Sequence, residues 1–231
     1  YEVLANGTVK ASGILTGASV ERTDTITVGG DGYWVIVVRV WDAAGNVGEA
    51  SVGIYVDTTA PTVMILSPAD GSYLDTVTFN VSWNASDNIA LASYEILANG
   101  TLKASGSISG TYVERNDTVT VDSEGYWVIV VRVYDVAGNV GEVSVGVYVD
   151  ITAPTVHIIS PGDGEYLSSS TFDVNWNASD NIALGSYEVL ANGTVKASGA
   201  LSGTSVERTD TITVGGDGYW VIVVRVWDAA G

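Results

Sequence analysis

The stretch YEVLANGTVKASG occupies Tyr1–Gly13, returns as YEILANGTLKASG from Tyr94, and returns unchanged from Tyr187. Both intervals are 93 residues (94 − 1 and 187 − 94). That period is too long for a solenoid unit of roughly 20–50 residues and close to one small sandwich domain of about 100 residues. Residues 1–45 match 187–231 at 42 of 45 positions, but match 94–138 at only 31 of 45. Alternate copies are thus the closer relatives, which predicts duplication of a two-domain unit of 186 residues (2 × 93). The expected division is 1–57, the C-terminal part of one repeat; 58–150, a complete repeat; and 151–231, a repeat lacking its last strand. On that reading the chain is a window on a longer polypeptide.

Within the complete copy the apolar residues follow a period of two, the mark of half-buried strands. In TVTFNVSW, Val77, Phe79, Val81 and Trp83 alternate with polar residues, and Val143, Val145, Val147 and Val149 do the same near the end of the copy. Asn99-Gly100 sits between two such runs, and this dipeptide suits a two-residue type I′ hairpin, whose central positions both need positive φ. TYVER and DTVTV read as a weaker strand pair, giving seven short strands, and no segment of useful length has the helical period. The expected fold class is all-β.

Charge narrows the partners. The 27 acidic and nine basic residues give a net charge of −18, unsuited to phosphate backbones or anionic lipid, so nucleic acid is excluded. Residues 58–150 hold 11 acidic and 3 basic residues, so each copy carries about 11 − 3 = 8 negative charges and neighbours should repel unless cations intervene. There is no Cys, hence no disulfide and no thiolate metal site. The longest apolar run, YWVIVVRVW, is interrupted by Arg39 and too short to span a bilayer, so no membrane span is expected in this window.

The succession DxTAPTVxIxSPxxGxYL, FxVxWNASDNIAL and GYWVIVVRVxDxAGNVGE, closed by a valine-rich strand, resembles the immunoglobulin-like and fibronectin type III-like repeats of bacterial and archaeal cell-surface proteins. The resemblance covers the whole chain. It implies tandem antiparallel β-sandwiches, strands A, B and E facing C, F and G, and an extracellular, cell-surface setting. Such repeats occur in adhesins, surface layers, filaments and secreted hydrolases. The expected function is therefore a non-catalytic structural or adhesive repeat of a stalk or filament, with other copies of the same chain as partners. The alternative is an accessory or carbohydrate-binding array of a secreted hydrolase, with extracellular glycans as partners.

Enzymatic chemistry finds few parts here. His157 is the only histidine, and the preceding copy has Met64 in its place, which suits a strand side chain better than a catalytic base. GGDGYW from Gly29 precedes a strand rather than a helix and has neither phosphate-loop spacing.

Three groups of residues are candidates for other work. In the implied fold, the linker into a copy lies beside its B–C and F–G loops. That brings Asp57, Asp87, Asn88, Asp135, Asn139 and Glu142 to one junction, and Asp150, Asp180, Asn181 and Asp228 to the next. Hard oxygen donors without His or Cys suit calcium, the one cofactor expected, although Asp and Asn are also ordinary turn residues. Seven Asn-x-Ser/Thr sequons, at Asn6, Asn80, Asn84, Asn99, Asn116, Asn177 and Asn192, are candidate glycan acceptors. Asn6, Asn99 and Asn192 also serve as hairpin residues. Finally, Val128, Val130, Arg132 and Tyr134 give strand F an apolar outer face. With Glu95 and Leu97 of strand C, they are the expected lateral interface, Arg132 pairing with Glu95.

Overall fold

A computed structural model describes residues 1–231 and contains strands and turns but no helix, so no helix is long and apolar enough to cross a membrane. The first copy supplies β1 (Glu2–Ala5), β2 (Thr8–Ser12), β3 (Gly32–Trp41) and β4 (Val47–Val56). These form one sheet in the order β2-β1-β3-β4.

The middle copy holds β5 (Thr62–Ser67), β6 (Ser72–Leu74), β7 (Thr78–Ser86), β8 (Leu91–Ala98), β9 (Thr101–Ser107), β10 (Tyr112–Thr120), β11 (Gly125–Asp135) and β12 (Val140–Val149). They sort into a sheet β10-β7-β5 and a facing sheet β6-β12-β11-β8-β9. The third copy repeats the plan with β13 (Thr155–Ser160), β14 (Thr171–Ser179), β15 (Leu184–Ala191), β16 (Thr194–Ala200), β17 (Ser205–Thr213) and β18 (Ile222–Asp228). No strand pairs across Asp57–Thr58 or Asp150–Ile151.

The alternation in the sequence places the core. Phe79, Val81, Trp83 and Ala85 of β7 face Ile129, Val131 and Val133 of β11, inside a cluster of 15 buried residues. Val147 and Val149 of β12 are fully buried in it, while Val143 and Val145 pack at its margin. Each fully buried Val, Ile or Leu contributes about 1.5–3 kcal/mol, so this double layer rather than any loop holds the copy together. At the hairpin, Asn99 and Gly100 have φ of 47° and 79°, as a type I′ turn requires.

Two details depart from the sequence reading. YVERNDTVT is one continuous strand, β10, paired with β7 from Tyr112↔Ser86 to Thr120↔Thr78. Arg115 and Asp117 share its inward face with Val113 and Val119, and two charges there mimic a loop in the sequence. There are also eight strands rather than seven: joining TYVER to DTVTV removes one, while Thr101–Ser107 beyond the hairpin turn and Ser72–Leu74, parallel to β12, add two.

Pairing partners decide which local segments become strands. The counterpart of β10 in the first copy, around Val20–Val28, has no strand assignment, because the counterpart of β7 is not among residues 1–57. In the third copy Glu165–Leu167 corresponds to β6 but lacks the equivalent of β12 to pair with. Tyr166 is there fully exposed, whereas its counterpart Tyr73 stacks on Tyr148 at 4.9 Å.

Candidate metal centre at the junctions between copies

Antiparallel pairing brings the ends of β7 and β11 to the same end of the middle sandwich, where the chain enters from β4. Asp87 follows β7, Asp135 ends β11, and Asp57 follows β4. Carboxylate oxygens of these three residues lie within 4.8 Å of one another. Asp150, Asp180 and Asp228 form the same cluster at the second junction.

Each carboxylate is oriented by backbone N–H groups at one oxygen. Asp87 Oδ1 accepts from the N–H groups of Ile89 and Ala90, both at 2.8 Å. Asp135 Oδ1 accepts from Ala137 and Asn139, also at 2.8 Å. Asp57 Oδ1 accepts from Thr59 at 3.3 Å. The second junction repeats this with Ile182 and Ala183 on Asp180, Ala230 and Gly231 on Asp228, and Thr152 on Asp150. The remaining oxygens differ: Oδ2 of Asp57, Asp87, Asp150 and Asp180 is buried without a hydrogen-bond partner. Asp150 as a whole is only 1% exposed.

No basic side chain pairs with either cluster; every ion pair lies elsewhere. Burial raises the carboxyl pKa of Asp57, and repulsion from Asp87, Asp135 and Asp31 pushes the same way. Burial likewise raises Asp150, reinforced by Asp180, Asp228 and Glu124. The ionised state is thus disfavoured by desolvation first and by like charge second.

Four of the residues expected here do other work. Glu142 is Arg132's partner on the outer face of the sheet at 2.7 Å, because β12 leads it away from the junction. Asn88 donates its amide to Asp31 Oδ2 at 3.0 Å, and Asn181 donates to Glu124 Oε2 at 2.8 Å. Asn139 donates to the Asp57 carbonyl at 3.1 Å and to Asp135 Oδ2 at 2.7 Å, tying the F–G loop to the linker.

Asp31 and Glu124 were not apparent as site residues from sequence. Asp31 accepts from Thr58 N and Oγ1 at 3.0 and 2.8 Å and from Thr59 Oγ1 at 2.6 Å. Glu124 accepts from Ile151 N at 3.0 Å and Thr152 Oγ1 at 2.6 Å. With the asparagine bonds, each carboxylate joins the preceding copy to the linker and to the B–C loop of the next. The Thr59 and Thr58 bonds hold the Asp31 carboxyl below its ordinary pKa, and the Thr152 bond does the same for Glu124. The available signal was their place just before strand F, the equivalent position in each repeat.

On the outer sheet face, Arg132 lies opposite Glu95 in register, 3.6 Å away, and Tyr134 donates to Glu95 at 3.1 Å. Val128, Val130 and Leu97 are half-buried on this face. Among the sequons, Asn80 and Asn116 are exposed on β7 and β10, and Asn84 and Asn177 are half-buried on β7 and β14. Asn6, Asn99 and Asn192 hold their hairpins, their Oδ1 atoms each accepting from a strand-F N–H at 2.8 Å. His157 is exposed on β13.

The fold and its repeated junctions define a tandem array of antiparallel β-sandwiches. The bacterial Ig domain family matches residues 61–145 and 154–218, and the chain belongs to that family. It is 32% identical over 190 residues to chitinase A1 of Niallia circulans, covering 76% of this chain and 25% of that protein. Exoglucanase B of Cellulomonas fimi is 31% identical over 245 residues, covering 96% of this chain and 21% of that one. The chain therefore spans a quarter or less of these relatives. A solved structure of fibronectin(III)-like modules of Clostridium thermocellum CbhA has 20% identity and a TM-score of 0.45, with 73% of this chain and 87% of that one covered.

Proposed function

We propose that this chain is a non-catalytic structural repeat of an extracellular protein, in which serial sandwiches set distance and direction. One observation carries the reading: at both junctions a single carboxylate, Asp31 or Glu124, bonds the linker and the next copy's B–C loop together. A loose tether would leave those groups to water. An extracellular placement is supported by the chitinase among the relatives, since chitin is a polymer outside the cell. Asp31→Ala with Glu124→Ala should broaden the distance distribution in small-angle scattering of the 231-residue chain while strand content stays constant. Superimposable curves would reject the spacer role.

In this reading the partners are other copies of the chain, associating end to end in a stalk or filament or laterally through the outer face of β11. Val130→Lys with Tyr134→Lys should weaken bundling of native material seen by electron microscopy; unchanged bundles would remove that face from consideration. Asn80 and Asn116, exposed on the opposite sheet, are the sequons best placed to carry glycans away from that contact. Peptide mapping of native protein would show or exclude them.

A second reading, an accessory glycan-binding array of a secreted hydrolase, is favoured by a specific surface. Tyr73 and Tyr148 stack at 4.9 Å and 15°, and Tyr126, 52% exposed, tilts against Tyr148 at 5.0 Å. Such a platform could stack on sugar rings. Retention on insoluble chitin or cellulose that is lost in Tyr126→Ala would support it, and free passage of the unaltered chain would reject it.

A further inference from the structure

We infer that each junction is a calcium site, built at the first from Asp57, Asp87 and Asp135 and at the second from Asp150, Asp180 and Asp228. This deepens the spacer reading above, on which its mechanical consequence rests, but binding itself can be tested separately.

An acidic cluster alone would not carry the inference. What distinguishes these two is the state of their oxygens. At the second junction Asp150 is 1% exposed and its Oδ2 has no partner, while Asp180 Oδ2 beside it is equally buried and unpartnered. At the first junction the Oδ2 atoms of Asp57 and Asp87 are likewise buried and unpartnered, within residues that are half-buried as a whole. A buried, unpaired carboxylate oxygen carries a large desolvation penalty, and native folds seldom keep one without a counter-charge. Two junctions with the same orphaned atoms at equivalent positions argue against a local accident.

The donor set selects the cation. Three carboxylates and no nitrogen or sulfur ligand suit a hard ion. Calcium takes six to eight oxygens at roughly 2.3–2.6 Å, so opposite ligands of one sphere stand about 5 Å apart. Oxygens lying within 4.8 Å of one another fall inside that sphere without rearrangement. The N–H bonds to Oδ1 of Asp87, Asp135, Asp180 and Asp228 fix those carboxylates in advance. Magnesium, smaller and reluctant to lose water, fits three crowded carboxylates less well.

The consequence follows from where the ligands come from. One is on the linker and two are on loops of the following sandwich, so the ion draws the linker onto that sandwich. Neutralising the cluster removes repulsion that otherwise opposes this docking. Calcium therefore stiffens the joint and leaves the sandwiches as they were.

Calorimetric titration of the metal-free 231-residue chain with calcium chloride should give two sites per chain, in the affinity range of extracellular calcium modules, about 0.1–1 mM. Asp57→Asn should abolish one site, and Asp57→Asn with Asp150→Asn both. Asparagine keeps the shape and the Oδ1 acceptor, so strand content by circular dichroism should be unchanged. Magnesium at equal concentration should compete at least tenfold less well. No heat up to about ten times that range, or binding that survives the double variant, would overturn the site. Scattering with calcium and with chelator tests the mechanical step: superimposable curves despite measured binding would overturn the clamp. The Asp31 and Glu124 variants test the spacer reading without using metal, so the failures can be told apart.

Discussion

Asp117 makes the sharpest stability prediction. Its side chain, 10% exposed, accepts from Trp83 Nε1 at 2.9 Å, Tyr94 Oη at 2.7 Å, and Arg115 at 2.8 and 3.1 Å. Trp83 is fully buried and Tyr94 is 4% exposed, so neither donor has water to turn to. Asp117→Ala orphans both, at about 1–3 kcal/mol each. Arg115, 35% exposed, can turn outward to water and so adds no orphaned donor of its own. The expected loss therefore falls in the lower half of the summed range, about 3 kcal/mol, or a roughly 150-fold rise in the population of opened molecules. Hydrogen exchange of the intact chain, followed by mass spectrometry, reads this copy by copy. Peptides from Thr78–Ser86 should exchange about a hundredfold faster, while Thr171–Ser179, whose Trp176 and Tyr187 bond to Asp210, should not change. An acceleration below about fivefold, or an equal one in the third copy, would refute the idea that the network is both stabilising and local.

The same carboxylate sets an acid limit. Burial works against it, but bonds from Arg115, Tyr94 and Trp83 outweigh burial and hold its pKa below the ordinary value. Its stabilisation is therefore present above the unfolded value of about 3.9 and is lost as pH falls through the lowered folded pKa, observable as acid unfolding. Asp150 behaves oppositely: its raised pKa makes the cation-free junction most favourable below about 3.9 and progressively worse as pH rises through the folded value. Scattering in chelator should thus show stiffer chains at mildly acidic than at neutral pH. Gly141→Ala should destabilise the middle copy by about 1–3 kcal/mol, because the new Cβ would overlap the Pro61 carbonyl oxygen, part of the backbone. Thermal melting checks it. Asn99→Ala loses the acceptor for Val128 N–H and must hold φ at 47°, so the hairpin should weaken by about 1–2 kcal/mol. Asn99→Gly, which keeps the conformation, should recover part of that.

Period-two alternation revealed the strands because both sheets bury one face only, and burial acts on each residue separately. The carboxylates of the junction were legible because they terminate strands whose direction the alternation had already set. What remained hidden was polar and non-local. Arg115 and Asp117 look like a break in β10 until Trp83 and Tyr94, more than twenty residues away, supply their partners. Glu142 looked like a ligand because it stands near Asn139 in sequence. The pleat carries it to the other face, where Arg132 competes successfully for it. Asp31 and Glu124 differ by a methylene and sit in the turn just before strand F, where their neighbours in sequence do not show that they meet the next copy.

That methylene has a geometric meaning. The first joint is latched by an aspartate onto Thr58-Thr59, and the second by a glutamate onto Ile151-Thr152. Residues 187–231, which resemble the first copy, restore aspartate at Asp217. An array continuing in this register would alternate short and long latches, bending and twisting by two different amounts in turn. Its true translational repeat would then be a pair of sandwiches, and averaged images of a fibre would show a layer line at twice the spacing of a single domain.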